Sequence, residues 1–152
     1  MAPVSAEQLL RIPVRLRGIQ LGRIADLVLD FERRRALGLE VACGDDEQRF
    51  LPLAVAELGE QEVRVSSPLV LLNASELAFY TARGSTFRAL RGTGVVRGRS
   101  LLGRLDDLLL GPDGVIAAVV VEVEDGLAKV AYTEDVRLGA TGTDVRTAAS
   151  SG

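Results

Sequence analysis

Hydrophobic residues in this chain recur with a period of two over short stretches, and turn-forming residues punctuate those stretches. Residues 36–43, ALGLEVAC, carry the pattern well: Leu37, Leu39, Val41 and Cys43 alternate with small or polar positions. A period of two places such residues on one face of a strand. The same reading predicts strands at 14–16, 22–30, 49–55 and 63–67, parted by the turn clusters GDDEQ (44–48) and ELGEQ (57–61). Short strands joined by tight turns leave no room for crossover helices and favour a small antiparallel barrel. A second set follows at 93–98, 103–110, 115–124, 127–135 and 144–147, with GPDG (111–114) as a turn and Asp125-Gly126 as a hairpin tip.

Helical signals are few. Ser5 and Gln8 fit a capping box ahead of Leu9 and Leu10. Between the strand sets, Asn73 or Ser75 can cap a helix bearing Leu77, Phe79 and Tyr80, with Gly84 at its C′ position. Ser85 can then cap a second short helix through Phe87 and Leu90.

The two strand sets share a motif. In LGRIADLVLD (21–30) and LGRLDDLLLG (102–111), Leu21, Gly22, Arg23, Asp26, Leu27 and Leu29 recur as Leu102, Gly103, Arg104, Asp107, Leu108 and Leu110. Leu58-Gly59 likewise recurs as Leu138-Gly139. At these residues the chain resembles the PRC-barrel family. The family's core looks like LGRIADLVLD, a turn, GLEV and a strand ending in LPL; the second copy keeps LGRLDDLLL, the turn and AAVVVEV but has AYT in place of LPL. The matches cover roughly residues 14–67 and 93–147.

The resemblance implies a mainly β chain of two small antiparallel PRC-type β-barrels packed together and joined by a short helical segment. The expected divisions are 1–72 for the first repeat with its N-terminal helical turn, 73–92 for the helical linker, 93–147 for the second repeat and 148–152 for a tail. Apolar residues on both strand faces at 108–110 and 119–121 require cover from the sister barrel or the linker. Similar domains occur in the ribosome maturation factor RimM and in the photosynthetic reaction centre H subunit. RimM's additional barrel domain and the H subunit's membrane helix have no counterpart in this sequence. What the resemblance implies is therefore a non-catalytic interaction or assembly module.

Composition narrows the chemistry. The 152 residues contain no His and a single cysteine, Cys43. Ser-His-Asp and Cys-His catalysis and intrachain disulfides are excluded. Cys43 reads as a small packed residue. The net charge of −3 supplies no global attraction for nucleic acid. The longest apolar run, Val115 to Val121, is far short of a membrane span, and MAPVSAEQLLR has no signal-peptide pattern, so a cytoplasmic location is expected. GTGVVRG (92–98) is not a dinucleotide fingerprint, Asp45, Asp46 and Glu47 lack the spacing of a calcium loop, and Asn73-Ala-Ser75 reads as a cap.

Asp26 and Asp107 lie, by strand parity, on one face with Ile24 and Val28 or with Leu105 and Leu109. A carboxylate there must be hydrogen-bonded, and the reading adopted is a structural acceptor for loop amides at the barrel end. Arg33, Arg34 and Arg35 form a compact basic loop that reads as a solvated turn, or else as a grip for RNA phosphate or an acidic partner. Phe79 and Tyr80 mark an apolar interaction patch. No catalytic, cofactor or metal-ligating residue is assigned. The expected function is a cytoplasmic adaptor that binds an unidentified protein, with a homodimer left open. The rival is a RimM-like, ribosome-associated RNA or ribonucleoprotein factor, which the acidic charge disfavours. An exposed apolar patch near Phe79 and Tyr80 would favour the first; a basic stripe would favour the second.

Overall fold

The computed structural model describes residues 3–44 and 47–140, the side chains of Arg83 and Ala140 excepted. The expected strand at 144–147, the tail at 148–152 and the pair Asp45-Asp46 lie outside the described residues. In chain order the first elements are β1 (Val4–Ser5), α1 (Ala6–Leu9), β2 (Pro13–Leu16), β3 (Ile19–Asp30), β4 (Arg35–Ala42) and β5 (Gln48–Pro52). β6 (Glu57–Leu58), β7 (Val63–Arg64), α2 (Ala74–Arg83), β8 (Ser85–Thr86) and α3 (Phe87–Leu90) follow. The chain continues through β9 (Gly94–Arg97), β10 (Ser100–Leu110), β11 (Ile116–Val123), β12 (Gly126–Ala131) and β13 (Val136–Ala140).

The protein is mainly β and forms two sheets, with a half-barrel curl. One runs β5-β4-β3-β2-β7-β6, the other β12-β11-β10-β9-β13. Neighbours are antiparallel except β2 and β7, which run parallel with Val14 opposite Val63. Among the described residues no ladder joins the end strands of either sheet.

The motif strands curl because each carries two irregularities in register. The register of β3 against β4 slips between Ile24 and Asp26, and that of β10 against β11 slips between Leu105 and Asp107. A bulge adds a residue on one strand and so reverses the faces beyond it. Ile24 and Leu105 point into the main core, whereas Asp26 is a neighbour of Val28 on the outer side. This corrects the parity reading that placed each aspartate on the face of the preceding aliphatic. A second slip, between Val28 and Leu29, leaves Leu37 unopposed. Leu37 therefore leaves the face of Leu39 and Val41, where simple alternation put it, and packs against the smaller outer cluster. Gly22 and Gly103 fit the close approach of strands at the start of the motif: a Cβ would lie 2.5 Å from the Ala42 carbonyl oxygen and 2.4 Å from that of Glu122.

One continuous core spans both sheets. Leu27, Leu29 and Leu39 of the first sheet meet Leu108, Leu110 and Val119 of the second, with Leu9 and Phe87 from the short helices. The two strand sets also meet through their turns, where Arg35 bridges to Val115, Ala36 N–H donates to the Gly114 carbonyl (2.8 Å) and Ile116 N–H to that of Arg34 (3.0 Å).

The repeats exchange their leading segments. β1 of the first repeat pairs with β10, Ser5 opposite Leu109. β8, just ahead of the second repeat, pairs with β3, Thr86 opposite Val28. One offset of 81 residues relates Ser5 to Thr86, Leu9 to Leu90, Gly22 to Gly103 and Asp26 to Asp107. The repeat thus begins well before the conspicuous motif, at a strand-helix unit that docks on the other repeat.

Capping follows the sequence with two corrections. Ser5 accepts from Gln8 N–H and Asn73 from Glu76 N–H. α3 is capped by Thr86, not Ser85: the helix begins at Phe87, and the Thr86 hydroxyl accepts from Ala89 N–H. Gly84 closes α2 with φ −118° and ψ −156°, extended backbone and not the left-handed C′ form. Glycine is required there by proximity, since a Cβ would sit 2.2 Å from the Leu29 carbonyl oxygen. α2 itself lies on the outer face of the first sheet, where Leu77 packs with Val28 and Phe50. No helix among the described residues is long and apolar enough to cross a membrane.

A shared core with exchanged segments makes a specific demand. Leu9→Ala, though it lies in the first repeat, should cost about 2–5 kcal/mol, the usual range for a fully buried leucine. It should also lower hydrogen-exchange protection in β10 as well as in β3, with a single unfolding transition. Loss of protection confined to β2–β7 would contradict the exchange.

Candidate interaction groove

The two motif aspartates are the only buried charged side chains in the core inventory of the described residues, Asp26 at 7% and Asp107 at 8% exposure. Burial is tolerable because each carboxylate accepts at least two hydrogen bonds. Asp26 Oδ1 accepts from its neighbour Leu27 N–H (2.8 Å) and from Arg88 N–H (3.1 Å) in the first turn of α3. Asp107 Oδ1 accepts from Leu108 N–H (2.8 Å) and from Glu7 N–H (2.9 Å) in the first turn of α1, and Oδ2 accepts from the Ser5 hydroxyl. Apart from the adjoining Leu27 and Leu108 amides, the donors come from the leading strand-helix units of the opposite repeat, not from loops of the same sheet. Each acid thereby satisfies an amide that a helix start leaves without an intrahelical partner.

The surroundings of the two acids differ. Glu40 stands opposite Asp26 across the ladder, where the second repeat has Val120 opposite Asp107. Burial, reinforced by the Asp26 charge, pushes the Glu40 carboxyl above its ordinary range, against the pull of Arg88. Beside Asp107, Arg91 instead bridges Glu7 (3.5 Å) and Asp106 (3.9 Å).

The basic loop divides. Arg33 projects into solvent, its side chain 77% exposed, with Asp30 3.8 Å away. Arg34 adopts φ 55°, uncommon for a residue with a side chain. Its guanidinium lies 3.6 Å from the centre of the Tyr132 ring and donates to the Thr133 carbonyl. Arg35 donates to the Asp113 carbonyl at 2.7 Å. Two of the three arginines therefore fasten the first repeat to the second. Tyr132 is half-buried under this contact, and burial raises its phenol pKa while Arg34 opposes the shift.

Phe79 and Tyr80 belong to an open groove of about 760 Å³ beside that turn. Tyr80 is stacked on Phe50 at 4.3 Å and meets Phe79 edge-on at 5.3 Å, so the α2 wall is held from behind. Asp30, Phe31, Glu32, Arg33, Leu37, Gly84 and Ser85 complete the lining. Phe79 is 49% exposed and Phe31 36%. Of the residues singled out in the sequence, the groove gathers Arg33, Phe79 and Tyr80. It does not include Arg34, Arg35, Asp26 or Asp107.

No family model and no curated protein matches the chain.

The groove contributors absent from the sequence reading each have a reason. Phe31 carries a usable signal, an aromatic residue in an otherwise charged turn. Leu37 carries none, because the bulge that turns it outward depends on pairing with β3. Gly84 and Ser85 reach the groove only because β8 docks on β3. Chemically the walls are aromatic and aliphatic, with Asp30, Glu32 and Arg33 at the rim. Among the described residues no group of His, Cys, Asp and Glu is placed to hold a metal ion.

Two expectations follow from the acids. Asp26→Ala or Asp107→Ala should lower stability by about 1–3 kcal/mol, the cost of a buried donor left unpaired, with Asn restoring part of it. Melting curves of the four variants check this, and wild-type melting by both Ala variants would contradict the capping role. Glu40→Gln should instead melt above wild type at neutral pH. The raised carboxyl favours the fold only when protonated, and that contribution is lost as pH rises through the folded pKa. The difference in Tm should therefore close as pH falls below the ordinary glutamate range. A Tm difference that does not change with pH would contradict this account.

Proposed function

We propose that this chain is a non-catalytic protein-interaction module and that the groove between α2 and the β3–β4 turn is its docking surface. The observation that carries the reading is the exposure of Phe79 and Phe31 in the lining of one open groove that also holds the stacked ring of Tyr80. A rigid aromatic wall contributes apolar contact at low entropic cost, which is why aromatic residues dominate protein interfaces. The carboxylates of Asp26 and Asp107 are taken up by amides, which supports a structural role for them.

The rival reading, a ribosome-associated RNA-binding factor, rests on the arginine loop. Arg34 and Arg35 are held by Tyr132, Thr133 and Asp113, so little basic surface is left there for phosphate. The PRC-barrel resemblance belongs to the same proposal: the two sheets are read as the two PRC-type barrels, packed through their common core. The twice-used Gly-Arg-x-x-Asp strand and the repeated sheet order support it. A cytoplasmic location is part of the reading.

The test is comparative capture from native lysate. A protein held by the wild type should be lost from the double variant Phe31→Ala, Phe79→Ala and kept by Lys129→Ala, whose side chain is on the far sheet. Retention by the groove variant would overturn the assignment, as would capture of RNA that is lost steeply with added salt.

A further inference from the structure

We propose that the groove selects a partner segment in which an apolar side chain stands beside a basic one; the inference rests on the docking reading above. The apolar part follows from the walls. Phe31, Leu37 and Tyr80 all line the space of about 760 Å³. That volume lies within the range of sites that enclose a small ligand or a few side chains. An aliphatic or aromatic anchor removes this surface from water.

The charge follows from counting what is already paired. Asp30 is occupied: its Oδ1 accepts from Arg33 N–H at 3.3 Å, and its Oδ2 lies 3.8 Å from the Arg33 guanidinium. Glu32, exposed on the same rim, has no ion pair among the described residues. Once the Asp30–Arg33 pair is set aside, the described lining carries one carboxylate in excess. A lysine or arginine beside the anchor answers that carboxylate. An acidic segment meets it with like charge and also meets a chain of net charge −3. A phosphate backbone is disfavoured at this rim for the same reason.

The decisive experiment uses the full chain and two dipeptides, acetyl-Trp-Arg-amide and acetyl-Trp-Glu-amide, titrated with amide chemical shifts as the readout. The arginine peptide should perturb amides of residues 30–33 and 79–85 and bind about 2–5-fold tighter than its acidic counterpart, the scale of a solvent-exposed ion pair. The preference should shrink with added salt. Glu32→Gln lies on an exposed turn and should remove the preference while leaving the tryptophan-dependent shifts in place. Equal affinity of the two peptides at the groove would overturn the charge selection and leave the docking reading standing. Shifts elsewhere, or none from either peptide, would overturn the docking reading itself.

Discussion

The architecture depends on placing two carboxylates in a nearly dry setting. Asp26 and Asp107 need hydrogen-bond donors there, and besides their adjoining strand amides these include the first-turn amides of α3 and α1. Each helix belongs to the repeat opposite the acid it meets. The requirement that a buried charge be satisfied is therefore met in full only when both repeats are present and correctly apposed. The exchanged strands β1 and β8 deliver those helices, and the shared core gains Leu9 and Phe87 from them.

The two strand irregularities explain how such a small sheet does several jobs. The bulge before each aspartate turns Ile24 and Leu105 inward while directing the acid to the outer side. The later slip at Leu37 curls the sheet and brings an aliphatic side chain to the lining of the groove. The same slips make the strands bend, which lets both sheets wrap one core.

Much of this was legible as residue pattern and much was not. Most strand positions, the turn at GPDG, the Ser5 and Asn73 caps and the doubled motif have local causes, so the chain states them locally; β13 (Val136–Ala140) was not among the expected strands. The exchange of β1 and β8 is a pairing between distant segments; its trace, Thr86 standing where Ser5 stands, is faint because the intervening residues differ. The outward turn of Leu37 escaped alternation because a bulge is decided by the partner strand. Arg34 and Arg35 looked like a solvated loop since nothing near them in sequence names Tyr132 or Asp113 as their contacts. Phe79 and Tyr80 were visible as aromatics, but the lining of their groove also takes in Phe31, from a turn distant in sequence.

The duplication is not carried through to the outer surface. Phe50 lies beneath α2 in the first sheet, opposite Glu40; in the second sheet the residue opposite Val120 is Lys129, exposed to water. A molecule built as two like halves would ordinarily offer two like faces and engage its surroundings twice over. Here an aromatic ring stands on one sheet where the other has an ammonium group, and among the described residues α2 has no counterpart on the second sheet, giving a pseudo-symmetric body a front and a back. Whatever approaches α2 meets it once per chain, and in one orientation.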